Sequence, residues 1–225
     1  METLERRFLS SSIRTSESGG RKIIGGYAAR WNSLSQNLAG FRERLAVRCF
    51  DLDADDQRML LDHDSGRLLG RKSTGTLEIV QDGTGLRFRC TLPDTQDAAD
   101  AYSLIKRGDL DGMSFGMLVA DDDWDDEYDP DDPDQKRMIR TRTVKRARCL
   151  EISCVVFPAY SSSSVETMSR ALWPAGMPAE VRSRTTPPTL AELRRRIALA
   201  QADLIDPSEQ QERLKLRARL AALDL

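Results

Sequence analysis

Leu77-Glu78-Ile79-Val80-Gln81-Asp82-Gly83-Thr84-Gly85-Leu86-Arg87-Phe88-Arg89-Cys90 decides the fold class of this chain. Two short runs rich in apolar residues flank Gln81 to Gly85. The Asp-Gly pair between them accepts the positive φ angles of a tight turn, so the stretch reads as a β-hairpin. Leu86, Phe88, Cys90 and Leu92 alternate with other residues and line one face of a strand. The β texture continues outward in both directions. Gly70 and Gly75 punctuate short runs that begin at Leu68-Leu69. Ile23-Ile24-Gly25-Gly26-Tyr27-Ala28-Ala29 reads as a strand whose glycines mark a bulge or a close backbone approach. Phe41 to Phe50 includes another, and Met113 to Val119 and Leu150 to Phe157 are two more. Residues 32–40 read as a loop, and Asp51 to Leu61 as a short acidic-fronted helix or turn. Asp94 to Gly108 is helical in pattern. Asp94 caps it, Ala98, Ala99, Tyr102 and Ile105 form its apolar stripe, and Gly108 stops it. The expected class is mainly β with flanking helices, an α+β protein.

The 225 residues leave room for one ordinary domain with extensions, or two small ones. Hydrophobic residues make up 40%, enough for a core, while 31% are charged, which suggests a compact body with polar appendages. Residues 1–20, ending in Ser16-Glu17-Ser18-Gly19-Gly20, read as a flexible segment, and 21–172 as the folded domain. Within it, ten of the fourteen residues from Asp121 to Asp134 are acidic and two are proline. Such a run repels itself and reads as a solvated, mobile loop inserted between two strands. Residues 173–188 hold Pro174, Pro178, Pro187 and Pro188 and read as a linker. Thr189-Leu190-Ala191-Glu192 has the form of a capping box and Asp206-Pro207-Ser208-Glu209 is a second helix start, so 189–225 reads as a helical tail or αα-hairpin. That tail packs on the body or docks on a partner.

The net charge of -2 gives no general pull toward nucleic acid. Lys136, Arg137, Arg140, Arg142, Lys145, Arg146 and Arg148 form a basic stretch, but the adjacent acids offset its field, and nucleic-acid binding is not expected. No apolar run approaches a membrane span, and the start lacks a signal-peptide core, so no membrane role is expected. Cys49, Cys90, Cys149 and Cys154 form no C-x-x-C pair. Cys90 and Cys154 sit in apolar runs as free thiols would, although an even count also permits disulfides in an oxidising compartment. No phosphate loop, dinucleotide fingerprint or set of paired metal ligands occurs, and neither a cofactor nor a metal is expected.

Nucleophilic catalysis is the chemistry left, and it needs a nucleophile, a base and an orienting group. His63, in Leu61-Asp62-His63-Asp64, is the only histidine and hence the only ordinary base. A histidine between aspartates also suits a surface or capping position. Ser114 is bracketed by Gly112 and Gly116, which admit close approach of backbone and substrate; a serine there equally fills a small buried slot. Glu151 heads a strongly apolar strand, where a carboxylate needs a partner. An imidazole N–H would serve, and so would a salt bridge to the basic stretch. Asp62 and Asp64 are rival orienters, although in an extended strand the neighbours of His63 face the other way.

Five segments, taken in order, resemble those of tailed-phage prohead proteases. They are Gly26-Tyr27-Ala28-Ala29, Leu61-Asp62-His63-Asp64, Thr91-Leu92-Pro93, Asp111-Gly112-Met113-Ser114-Phe115-Gly116-Met117, and Leu150-Glu151-Ile152-Ser153-Cys154-Val155-Val156-Phe157-Pro158-Ala159. The resemblance spans roughly residues 5–170. It implies a serine peptidase similar in fold to the herpesvirus assembly proteases, with a closed or partly closed β-barrel core. It further implies His63 as general base, Ser114 as nucleophile and Glu151 as third member. Scaffold and major capsid protein segments are the implied substrates and partners, with self-cleavage and self-association, inside the assembling prohead in the host cytoplasm. A non-catalytic scaffold or capsid-assembly protein that keeps the fold is the alternative expectation.

Overall fold

The computed structural model describes residues 3–10, 13–38, 40–134, 136–156 and 172–185. The chain divides into Met1–Thr185 and Thr186–Leu225. The second unit, with the expected helical tail at 189–225, lies outside the described residues.

Eleven strands and two helices are described there. The strands are β1 (Glu5–Ser10), β2 (Arg14–Ser18), β3 (Arg21–Arg30), β4 (Phe41–Leu45), β5 (Phe50–Asp51), β6 (Arg58–Leu61), β7 (Asp64–Arg71), β8 (Leu77–Gln81), β9 (Gly85–Thr91), β10 (Gly112–Tyr128) and β11 (Met138–Val155). The helices are α1 (Gln96–Arg107) and α2 (Ala179–Thr185). One sheet runs β1-β10-β11-β6-β7, with β4 and β5 also paired to β11; the other runs β2-β3-β9-β8. β11 acts as the spine. It pairs antiparallel with β10 along one side, and in parallel with β4, β5 and β6 in succession along the other.

The two sheets share one apolar core. Ile24, Ala28, Phe88 and Cys90 from the smaller meet Met113, Phe115, Ile152 and Cys154 from the larger, and Ala98, Ala101, Tyr102 and Ile105 of α1 join them. The expected β-barrel is not formed. Closure needs a hydrogen-bonded ladder between sheets, and each sheet ends instead in its own edge strands, β1 and β7 in one and β2 and β8 in the other.

The hairpin that set the fold class is β8–β9, and Asp82 closes it by accepting from the amides of Thr84 (2.8 Å) and Gly85 (3.1 Å). α1 is capped by Thr95 rather than Asp94, its Oγ1 accepting from the Ala98 amide, and it stops at Gly108 with φ 88°. Asp51 to Leu61 holds β5 and β6 and no helix.

Three stretches depart from expectation because each finds a partner outside its own residues. Residues 1–20 carry β1 and β2, each paired along its length. The acidic run is a strand as far as Tyr128, since β10 continues through it opposite the basic half of β11. Its self-repulsion is relieved by ion pairs: Asp122 with Arg142 (2.6 Å), Asp123 with Lys145, Asp126 with Arg140 (3.4 Å) and Glu127 with Arg44. The proline-bearing stretch after 172 buries Leu172 and Trp173 with Leu38, Phe41 and Val181 of α2 in a second, smaller core.

β1 is also anchored by charge. Arg7 Nε donates to Glu43 (2.7 Å) and its Nη2 to Glu5 (2.5 Å). Arg142 Nη1 donates to Glu5 (2.7 Å) and to Glu43 (3.2 Å), and its Nε to Asp122 (2.6 Å). Glu5, Arg7, Glu43 and Arg142 are each 5% exposed or less, so each charge needs the others.

Candidate active site

β6 and β7 are joined by a two-residue turn, Leu61 pairing with Asp64, and the turn residues are Asp62 and His63. Both take positive φ, 55° and 60°. This is the geometry that right-twisted hairpins favour and that Asn-Gly usually fills. Non-glycine residues hold it at a strain of order 1 kcal/mol each. The Asp62 amide donates to the Cys154 carbonyl (2.9 Å) and ties the turn to β11. His63 is therefore not part of an extended strand, and the turn aims its ring across the end of β11.

There the structure brings together all three residues singled out from sequence. His63 Nε2 lies 2.7 Å from Ser114 Oγ, and His63 Nδ1 lies 2.6 Å from Glu151 Oε1. Asp62 and Asp64 stay exposed, and Asp64 accepts from the Gly66 amide instead. The His63 and Glu151 side chains are 8% and 12% exposed. Ser114 is entirely buried.

The register of β10 against β11 explains the assembly. Ser114 faces Ser153 and Gly116 faces Glu151, so the four positions form a patch two residues wide and two deep. A Cβ at Gly116 would lie 2.7 Å from Glu151 Oε1 and 3.2 Å from Leu4 Cδ1. The bare backbone of Gly116 thus makes room for the carboxylate, whereas the sequence suggested room for substrate.

Four features of the site were not singled out from sequence. Ser153 Oγ donates to Glu151 Oε2 (2.6 Å) and is fully buried. Phe8 packs edge-on against the His63 ring, centroids 5.9 Å apart at 89°. The Arg7 carbonyl of β1 lies 2.8 Å from Ser114 Oγ. Finally, Phe8 pairs directly with Ser114 across β1 and β10. Only Ser153 left a local trace, standing two residues from Glu151 and hence on the same strand face. The β1 contacts left none, because they close over 107 residues of chain.

The Ser114 hydroxyl has one proton and two acceptors in reach. With His63 neutral and protonated on Nδ1, Glu151 accepts from Nδ1–H and Nε2 accepts from the serine. With His63 doubly protonated, Nε2–H donates to Oγ and the serine turns to the Arg7 carbonyl. The first is the arrangement in which an imidazole removes a serine proton; in the second the hydroxyl proton is engaged by β1.

The cysteines offer no rival nucleophile. All four are free and buried. Burial pushes the thiols of Cys49 and Cys90 up to about 12, and those of Cys149 and Cys154 higher still, so the reactive thiolate is suppressed near neutrality. Among the described residues no group of three or more His, Cys, Asp or Glu side chains is placed to hold a metal ion.

In comparisons with known proteins, a family model described as caudovirus prohead serine protease matches residues 10–177, about three quarters of the chain. Neither a curated protein nor a solved structure matches.

Proposed function

The chain belongs to the caudovirus prohead serine proteases, and from that premise we propose that Ser114, His63 and Glu151 are its catalytic residues. The observation that carries this reading is the unbroken chain of short contacts Ser114–His63–Glu151, 2.7 and 2.6 Å. His63 Nε2 takes the hydroxyl proton as Ser114 Oγ bonds to a peptide carbonyl carbon. The Glu151 carboxylate holds Nδ1–H, fixing the tautomer and stabilising the imidazolium that forms. His63 then returns the proton to the leaving amine, and water releases the acyl group by the same route. The substrates in this reading are scaffold and major capsid protein segments, together with the chain itself, cut inside the assembling prohead.

A fluorophosphonate serine probe followed by peptide mapping tests the assignment. Label is expected on Ser114 and is expected to vanish in Ser114→Ala and His63→Ala. His63→Ala should match Ser114→Ala closely, because members of a catalytic unit are not additive. With one histidine in the chain no other imidazole can stand in, so full labelling of His63→Ala would sink the reading. Co-expression with scaffold and capsid proteins reads the substrate part, since Ser114→Ala should leave them uncut. The complete burial of Ser114 favours a second reading, an assembly protein that keeps the fold without turnover; it predicts no label in any variant and no processing in wild type.

A further inference from the structure

We propose that Ser153 is a positioning residue that holds the Glu151 carboxylate in line with His63, an inference that rests on the peptidase reading above. A glutamate is a long third member, with three side-chain torsions between backbone and carboxylate, so something must fix its end group. Packing supplies part of the constraint, because the carboxylate lies against the bare backbone of Gly116. That contact is not polar and leaves rotation of the carboxylate about its last bond open.

Ser153 closes that freedom. Its Oγ donates to Oε2 at 2.6 Å, while Oε1 meets His63 Nδ1 at 2.6 Å. The two oxygens are thus held from opposite ends, and one oxygen is directed at the imidazole. The donor is itself immobile. Ser153 is fully buried, and it faces Ser114 across the β10–β11 pair. A buried hydroxyl keeps its proton on the best acceptor in reach, and an ionised carboxylate is the strongest kind. Ser153 makes no contact with His63 Nε2, which is taken by Ser114, so it acts through Glu151 and not on the reacting atoms.

At metal centres, loss of an outer partner that orients a ligand lowers activity about 10- to 100-fold, and orientation of the Glu151 carboxylate by Ser153 is set at the lower end of that range. Ser153→Ala should therefore slow fluorophosphonate labelling of Ser114 by about 10-fold with the apparent affinity for the probe unchanged. In a Glu151→Gln background the same substitution should have little further effect, because the group it acts through is gone. A thermal melt of each variant separates loss of folding from loss of rate. The single histidine supplies a second readout that needs no activity. Its imidazole Nδ1–H gives one resonance in ¹⁵N-histidine-labelled protein, which Ser153→Ala should move and Glu151→Gln should move further.

An unchanged labelling rate with an unmoved resonance would overturn the proposal. So would an equal loss in the Glu151→Gln background, or probe mapped to Ser153 itself. If wild-type protein takes no label at all, the peptidase reading fails instead, and the imidazole resonance alone decides the role of Ser153.

Discussion

A methyl group added at position 116 would lie 2.7 Å from Glu151 Oε1, closer than carbon and oxygen normally approach. Gly116→Ala must therefore displace the carboxylate, and displacements near 1 Å cost about 100-fold in rate. The expected result is a labelling rate lower by about that factor, with about 1–3 kcal/mol of stability lost to overpacking; a melt and a labelling time course check the two parts. At this scale much of the candidate site was legible. His63, Ser114 and Glu151 stood out because each is chemically unusual where it sits: a lone imidazole, a serine between glycines, a carboxylate heading an apolar strand. The turn under His63 was not legible, because Asp62-His63 lacks the Asn-Gly signature, and its positive φ values follow from the pairing of β6 with β7. The reason for Gly116 was hidden as well, since the atom it accommodates belongs to a residue 35 positions on.

Strand β1 covers Ser114, the proposed nucleophile, which is fully buried. Phe8 packs edge-on against His63 and the Arg7 carbonyl accepts from the Ser114 hydroxyl, so in the peptidase reading β1 has to yield before a peptide carbonyl reaches Oγ. Phe8→Ala should therefore raise the labelling rate of Ser114 several-fold and lower the melting midpoint. A fall in rate would show that Phe8 serves to hold the His63 ring and does not act as a cover. Strand β1 and the outer half of β10 were the elements least legible in the sequence. Each was read from its own composition, one as polar and flexible, the other as a self-repelling acidic loop. What makes each a strand is a partner that composition does not reveal: β10 for β1, and the basic part of β11 for the acidic run. The hairpin β8–β9 and the helix α1 were legible because their signals are local: a short turn at Asp82 in one, closed by the Asp82 side chain and not by the positive φ expected of the Asp-Gly pair, and an apolar stripe closed by Gly108 in the other.

For the molecule as a whole, the β-rich class followed from strand periodicity, but the arrangement into two sheets did not. Periodicity says which residues face a core and is silent on whether edge strands meet. The buried charges bind the sheet's distant parts, joining β1, β4, β10 and β11 through Arg7, Arg142, Glu5, Glu43 and Asp122. Removing one member strands the rest, so Arg7→Ala should cost about 3–5 kcal/mol. Lys145→Ala, which breaks a solvent-exposed pair with Asp123, should leave a denaturation curve almost unmoved. The cluster also sets an acid limit. Burial pushes the Glu5 carboxyl up, but Arg7 and Arg142 outweigh burial and hold it below its ordinary value. A lowered folded value means the contribution is complete above the unfolded carboxylate range, about 4.3, and fades as pH falls through the folded value. Melting midpoints measured from pH 7 to pH 3 should therefore drop at the acid end, and Arg7→Ala should flatten that drop.

The contacts that make the candidate site span 51, 88 and 107 residues, from Ser114 to His63, His63 to Glu151 and Ser114 to Arg7. Each is a non-local closure that forms only after long stretches of intervening chain have been ordered. Synthesis runs from the other direction: β1 leaves the ribosome first and waits for β10, and Glu151 arrives after both. A nascent or half-folded chain therefore contains a serine, a histidine and a glutamate with no geometry between them. In the peptidase reading, the proposed catalytic arrangement therefore exists only once the fold is complete.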